Sequence, residues 1–395
     1  MPIQVGLGVS SSKDHIQALK EAATQARISL KGKVDIALVF SSSEFAHSTV
    51  YKTIKALINP EAIIGATGPG IIVSQGIFKH AIAILLISLP ENTYYNAACI
   101  TNMRDKSPQE AGEEFAEKLL YGFKDIRRDL AILFSDAPSL SIAGMIHGLQ
   151  ERIGKSFPLI GIAASEKSAP VKTNVIFDEG ICQNSACGIL LGGKFHFAIG
   201  VGQGWKPLGK YHRVTKSYGN VIYEIENMPA VKMYEEYFAR SIAALRKDLN
   251  SISALYPLGV YLEPEKDYLL RNVIAIESDG SLTLRGEVPD NALIRLMIGT
   301  KESCLKVARD AAEQAMKGLT GRKLSFALVF SSASRYTLLG RDVHKELEII
   351  RDRLGNDIPI CGVYTYGEIG PMRSINYLGK TYFHNQSINI IAFGT

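Results

Sequence analysis

The sequence predicts an α/β fold: layered sheets with covering helices, built from three β-α-β-α-β-β repeat units plus a middle α+β segment. One phrase is written three times, as Asp35-Ile36-Ala37-Leu38-Val39-Phe40-Ser41-Ser42, Asp129-Leu130-Ala131-Ile132-Leu133-Phe134-Ser135-Asp136 and Ser325-Phe326-Ala327-Leu328-Val329-Phe330-Ser331-Ser332. Internal recurrence of this kind marks a repeat architecture. Each copy is a continuous apolar run, which asks for cover on both faces of its sheet. Each also alternates with helical stretches, as α/β layering requires.

The elements follow in order. Helices are expected at about 13–30, 108–121 and 302–318, each just before one copy of the phrase. The second has the clearest start, with Ser107 as cap, Pro108 in the first turn and Glu110 completing a capping box. The third places Leu305, Ala308, Ala312 and Ala315 on one stripe. After each copy comes a further helix, then a short apolar strand ending in glycine: Ile63-Ile64-Gly65, Leu159-Ile160-Gly161 and Ile360-Cys361-Gly362. Strands are expected to open the units at 3–10, 96–101 and 292–298, and to close them at 81–89, 187–191 and 388–393. The middle segment reads as a strand over 195–201, a turn at Gly202-Gln203-Gly204-Trp205-Lys206-Pro207-Leu208-Gly209, a long helix over about 229–250, and strands near 256–262, 268–277 and 282–286. This divides the 395 residues into two domains with a border near Gly192-Gly193. The first, 1–193, holds two repeat units; the second, 194–395, holds the middle segment 194–288 and the third unit 289–395.

Composition narrows the function. Hydrophobic residues make up 46% and charged ones 21%, an ordinary globular balance. The net charge of +5 is spread along the chain rather than clustered, so a nucleic-acid surface is not expected. The five cysteines show no CxxC spacing, and reduced thiols in a cytoplasmic protein are expected, with no metal and no cofactor. The start Met1-Pro2-Ile3-Gln4-Val5 lacks the pattern of a signal peptide. The greasiest run, 81–89, falls well short of the roughly 20 residues that span a bilayer.

Candidate chemistry gathers at strand ends, where open α/β sheets bind ligands. The hydroxyls Ser41, Ser42, Ser43, Ser135, Ser331, Ser332 and Ser334, with Asp136 and Thr67, either cap the following helices or contact a ligand. Arg335 is a candidate anion clamp. Glu368 lies between glycine hinges in Tyr366-Gly367-Glu368-Ile369-Gly370-Pro371, and Glu166 sits at a similar offset in the second unit. His384 and Asn385 join Tyr366, Gly367 and Glu368 as a polar group before the last strand. Trp205 is either a core plug or the apolar wall of a pocket. Cys361 replaces an isoleucine of the other units and reads as a small hydrophobe. Gly200-Val201-Gly202-Gln203-Gly204 is out of register for a dinucleotide fingerprint.

The segment Tyr366–Pro371 with His384-Asn385-Gln386-Ser387-Ile388 resembles the C-terminal signature of the FIST domain family. Gly202–Gly209 with Val214-Thr215-Lys216 and Pro229-Ala230 resembles its middle region, and 37–42 with Ile63-Ile64-Gly65 its N-terminal part. Ala66-Thr67-Gly68-Pro69-Gly70 departs from the pattern, which would end on a carboxylate. The resemblance implies a sensory module of signal transduction that binds a small molecule, an amino acid or related metabolite, and acts through a separate signalling partner. Two alternatives stay open: an interaction scaffold, as in F-box relatives, and an enzyme using Glu368 as acid or base.

Overall fold

The computed structural model describes residues 2–45, 49–136, 141–164, 173–178, 180–373 and 380–395. Three six-stranded sheets form its frame, each ordered in the same way. In the first, the order is Gln4–Ser10, Ile82–Ser88, Ile36–Ser41, Ala62–Thr67, Val175–Phe177, Gly180–Cys182. The second runs Thr93–Ile100, Ala186–Gly193, Leu130–Asp136, Leu159–Ala164, Glu368–Pro371, Thr381–His384. The third runs His196–Gly202, Ile388–Gly394, Leu324–Ser332, Ile360–Thr365, Gly70–Val73, Gly76–Phe78. This mixed α/β architecture is the expected fold class, and the common strand order is compatible with three units.

The last two strands of every sheet are a hairpin that the sequence patterns did not reveal, and each comes from a different stretch than the four strands it joins. The 70–78 hairpin pairs with Ile360–Thr365, the 175–182 hairpin with Ala62–Thr67, and the 368–384 hairpin with Leu159–Ala164. Each hairpin thus leaves its own stretch and completes a neighbour's sheet.

The two inner strands of each sheet are parallel, in the registers Val39↔Gly65, Leu133↔Gly161 and Val329↔Gly362. This explains the recurring glycine: a Cβ on Gly65, Gly161 or Gly362 would lie 1.8, 1.9 or 1.8 Å from the facing carbonyl oxygen. Along each central strand, alternate residues serve two cores. Leu38 and Phe40, Ile132 and Phe134, Leu328 and Phe330 face a shared interior between the sheets. Val39, Leu133 and Val329 face the covering helices instead. At the centre of the interior, Phe40, Phe134 and Phe330 meet edge to face, with ring centroids 5.6, 5.9 and 6.1 Å apart. Edge-to-face pairing suits the ring quadrupoles. In the same interior a cavity of about 20 Å³ is lined by Ile36, Leu38, Ile132, Ile189, Phe326 and Leu328, among others.

The helices form where expected, at His15–Ser29, Pro108–Leu120 and Lys301–Gly318. The Ser107–Glu110 capping box is present, with backbone donors reaching both side chains at 3.2 and 2.9 Å. Three expectations need correction. The strand near 292–298 exists, as Leu293–Gly299, but pairs with Trp205–Tyr218 and Leu258–Leu262 in the middle sheet. The strand that pairs with Ile388–Gly394, as Gln4–Ser10 pairs with Ile82–Ser88, is His196–Gly202. The middle segment is therefore threaded between the first strand and first helix of the third sheet's chain. Second, the turn over 202–209 is confined to its start, where Gly204 has φ +97°, and Trp205 opens a 14-residue strand. Third, the long helix is two, Val231–Phe238 and Ile242–Leu255: Ala239 turns left-handed at φ +50° and Ser241 caps the second.

Phe134→Ala removes one ring from the triad and opens a cavity that two flanking sheets cannot close. A loss of about 3–5 kcal/mol is expected, read from the midpoint of urea unfolding at unchanged slope.

Candidate functional site

The strand-end hydroxyls divide by the direction they face. Ser42, Asp136 and Ser332 follow the phenylalanine triad by two residues and so face the interior. Ser42 Oγ accepts from the Ala81 amide at 3.2 Å. Ser332 Oγ accepts from the Ser334 amide at 3.3 Å, capping the helix Ala333–Leu339, and from the Gln386 amide at 3.2 Å. Thr67 exchanges bonds with the Asn174 backbone at 3.3 and 3.4 Å. Asp136 accepts from the Thr173 hydroxyl and, at 2.7 Å, from the Asn184 amide. These groups hold the hairpins and closing strands to the sheet ends. Ser41, Ser135 and Ser331 face the helix layer and are fully buried. Among the described residues the Ser41 and Ser135 hydroxyls have no hydrogen-bond partner.

Arg335 is also fully buried, and its guanidinium is taken up internally. It donates to Glu346 Oε1 from Nε at 3.0 Å and from Nη2 at 2.6 Å, to the Gln203 carbonyl at 2.8 Å and to the Cys304 carbonyl at 2.8 Å. Glu346 Oε2 accepts in turn from Ser331 Oγ at 3.1 Å and from the Tyr364 hydroxyl at 2.8 Å. The expected anion clamp therefore already holds a carboxylate of its own chain, and it ties the start of the middle segment to the third sheet. Glu346 was not singled out beforehand, yet a signal existed: it shares the apolar stripe of its helix with Ile350 and Leu354. Trp205 lies beside this strut, buried among Leu270, Met297, Cys304 and Leu339, its indole N–H donating to the Ala254 and Leu255 carbonyls at 3.2 Å each. Glu346→Gln leaves Arg335 charged and buried without a counter-ion; a loss of about 3–5 kcal/mol is expected in denaturant titrations.

The remaining candidates converge around Glu368, on the hairpin that the 368–384 stretch lends to the second sheet. Gly367 sits where a Cβ would strike the Phe383 ring at 2.2 Å, so the backbone passes close enough for its carbonyl to accept from the Ala163 amide at 2.8 Å. Glu368 is fully buried, opposite Ile162 on one side and His384 on the other. Its Oε2 accepts from the Ser387 amide at 3.0 Å and hydroxyl at 2.9 Å, while Oε1 has no partner among the described residues. Asn389, opposite Phe330 on the closing strand of the third sheet, donates to the Ile369 carbonyl at 3.2 Å; its Oδ1 and the Gln386 Oε1 also lack partners among the described residues. The register positions equivalent to Glu368 carry Val175 and Ile71, and those equivalent to Asn389 carry Ala83 and Cys187. At these register positions one corner of the interior is polar where the other two are apolar.

The middle segment covers that corner. Arg271 donates to the Phe383 carbonyl at 2.9 Å, the Asn272 amide to Asn385 Oδ1 at 3.3 Å, and Gln386 Nε2 to the Ser253 carbonyl at 3.2 Å. Asn385 Nδ2 donates to the Tyr366 carbonyl at 3.1 Å. The Arg285 guanidinium stacks 4.5 Å above the Tyr366 ring. Ser253, Arg271, Asn272 and Arg285 had no sequence signal, because nothing local links them to residues 366–389. Glu166 lies outside the described residues. Among those residues no cluster of His, Cys, Asp and Glu could hold a metal ion, and no helix is long and apolar enough to cross a membrane.

Burial raises the Glu368 carboxyl to about 8, against the opposing pull of the Ser387 bonds and of Arg335 and Arg285. Burial lowers the His384 imidazole to about 4, with Arg271 adding to the shift, while its Nε2 lies 3.0 Å from the Gly370 carbonyl. At neutral pH both groups are thus uncharged.

Known proteins place the chain. The FIST N domain model matches residues 35–228 and the FIST C domain model residues 230–371. The chain belongs to the FIST family. Domains of this family are sensory domains of signal transduction. An uncharacterized protein of Mycobacterium tuberculosis strain H37Rv is 24% identical over 396 residues, covering 95% of this chain and 97% of its own. An uncharacterized protein of Methanocaldococcus jannaschii is 23% identical over 283 residues, covering 67% of this chain and 54% of its own. Among solved structures, cyanuric acid hydrolase from A. caulinodans aligns over 99% of both chains with a TM-score of 0.37 and 8% identity, too distant to bear on fold or activity.

The titration has a definite sign. The folded FIST chain keeps a proton on Glu368 that the unfolded chain releases, so stability falls as pH rises from 4.5 to about 8 and then levels. His384 acts oppositely, costing stability as pH falls from 6.5 to about 4. Between pH 6.5 and 8, Glu368 is the one of the two that contributes. Stability curves of the parent and Glu368→Gln, measured across pH 4.5 to 8, should diverge on the order of 4 kcal/mol, with the fall between pH 6.5 and 8 present in the parent and absent in the variant.

Proposed function

We propose that this FIST protein is a small-molecule sensor whose ligand is held at the polar corner around Glu368, with the middle segment passing the binding signal to a separate signalling partner. The observation that carries this reading is the buried Glu368 carboxyl with one oxygen bound and the other unmatched among the described residues, at a position whose equivalents are valine and isoleucine. An unmatched buried polar group costs about 1–3 kcal/mol. A hydrophobic side chain would avoid that cost, so its presence favours a role in which a ligand supplies the partner. Asn389 Oδ1 and Gln386 Oε1 offer further acceptors, and the protonated Glu368 offers a donor. A ligand with both donors and acceptors, such as an amino acid or a related metabolite, matches that set.

Signalling follows from what covers the corner. Ser253, Arg271, Asn272 and Arg285 all belong to the middle segment; Ser253 touches Gln386 itself, and the other three touch Phe383, Asn385 and Tyr366 beside the corner. A ligand preferring one seating of that segment shifts its population by the difference in affinity between the two seatings.

The test starts with native mass spectrometry of the purified chain, followed by identification of any released small molecule. A panel of amino acids and metabolites is then screened by thermal unfolding. A true ligand at roughly 100 times its Kd adds about 2.7 kcal/mol to stability. Glu368→Gln should weaken that effect at least tenfold in concentration, about 1.4 kcal/mol. A chain that carries nothing and responds to nothing in the panel overturns the sensor reading.

A further inference from the structure

The segment that covers the Glu368 corner contains one guanidinium whose donors the fold does not use up. Six arginines lie between residues 213 and 295, and five of them donate to oxygen atoms of the chain. Arg213 reaches the Asn291 carbonyl at 3.2 Å, Arg240 the Asp248 carboxylate at 3.0 Å and Arg246 the Ile276 carbonyl at 2.9 Å. Arg271 donates to the carbonyls of Glu287, Leu270 and Phe383, and Arg295 to that of Gly209. Arg285 is the exception. Its Nε is buried with no hydrogen-bond partner among the described residues, where the one buried arginine ion pair is Arg335 with Glu346. A buried cation without an acceptor is costly.

The placement of this side chain is well defined. The Arg285 amide donates to the Asn272 carbonyl at 2.8 Å, and the Asn272 amide donates to Asn385 Oδ1 at 3.3 Å. The guanidinium lies 4.5 Å above the ring of Tyr366, two residues before Glu368. A ring face engages the flat side of a guanidinium and leaves its in-plane N–H groups free to donate. The residue as a whole is only half-buried, which keeps it within reach of solvent. The corner and its cover thus hold three unmatched acceptors, Glu368 Oε1, Gln386 Oε1 and Asn389 Oδ1, and one unmatched donor, Arg285 Nε, that do not meet one another.

We propose that Arg285 is the anion clamp of this site and that the ligand carries a carboxylate. The inference rests on the sensor reading above and adds the chemical class of one end of the ligand. A carboxylate accepts two parallel N–H bonds from one edge of a guanidinium, which a neutral amide with its single oxygen cannot do. A phosphate dianion would bring a second charge and further acceptors, for which the corner has no second free fork. The ligand's own donors then face the oxygens of Glu368, Gln386 and Asn389.

Thermal unfolding of the full chain in sodium propionate, propionamide and sodium phosphate, each against chloride at equal ionic strength, tests the clamp. Propionate should raise the unfolding midpoint, propionamide should leave it unchanged, and phosphate should fall short of propionate. Arg285→Gln should need at least about tenfold more propionate for the same rise. Arg285→Lys, which keeps the charge but not the fork, should recover part of the response. The contrast between propionate and propionamide in the parent decides the matter even if Arg285→Gln fails to fold. Equal protection by propionamide, stronger protection by phosphate, or an undiminished response in Arg285→Gln would overturn the proposal. A metabolite that binds Arg285→Gln as tightly as the parent would overturn the clamp and leave the sensor reading standing, whereas silence of propionate and of the whole metabolite panel would overturn both.

Discussion

Each sheet depends on backbone hydrogen bonds to a hairpin that belongs elsewhere in the chain. The inner strands Ala62–Thr67, Leu159–Ala164 and Ile360–Thr365 would otherwise be edges, with a row of unpaired amides and carbonyls facing water. The exchanged hairpins cover them, and in doing so bind the three sheets into a ring around one interior. The phenylalanine triad is the inner expression of the same constraint, since its three rings come from three central strands that only the ring brings together.

The polar corner follows from this arrangement. The last hairpin carries Glu368 out to the second sheet, while Ser387 and Asn389, a few residues further on, return to the third. The two sheets meet where a carboxyl, a hydroxyl and an amide face one another across a seam. The inserted middle segment, anchored by the Arg335–Glu346 strut and by Trp205, lies over that place. Strut and corner do different work: the first is internally matched and holds the segment, while the second keeps oxygen atoms that are unmatched among the described residues.

Much of the frame was legible because the repeated phrase and its following glycine have simple causes, a strand covered on both faces and a facing carbonyl too near for a Cβ. The hairpins escaped because their strands are only three or four residues long, too short for a periodic signal. Their exchange was invisible for a deeper reason: repetition reports the order of elements but not which sheet each joins. The same limit misassigned the strand at 292–298, which precedes a helix just as the true opening strand does before the insertion intervenes. Within the site, Glu368 announced itself by its glycine neighbours, and His384 and Asn385 by forming a polar group just before the last strand. Arg335 stood apart from the capping serines as a candidate anion clamp, but its partner lies 11 residues on along a different helix, and a lone arginine does not declare what it binds.

The exchange also bears on how such a chain comes into being. The second sheet has most of its strands by residue 193, yet its fifth and sixth are made only when residues 368–384 leave the ribosome. The first hairpin waits longer still, since Ser74 bonds to Ile360, 286 residues away. Contacts this distant in sequence slow folding, because a long loop must close before any of them contributes. During synthesis the nascent chain therefore exposes apolar, half-finished sheets for most of its length, the condition under which aggregation competes with folding. A truncated product ending after the second sheet's own strands would carry the same open edge permanently.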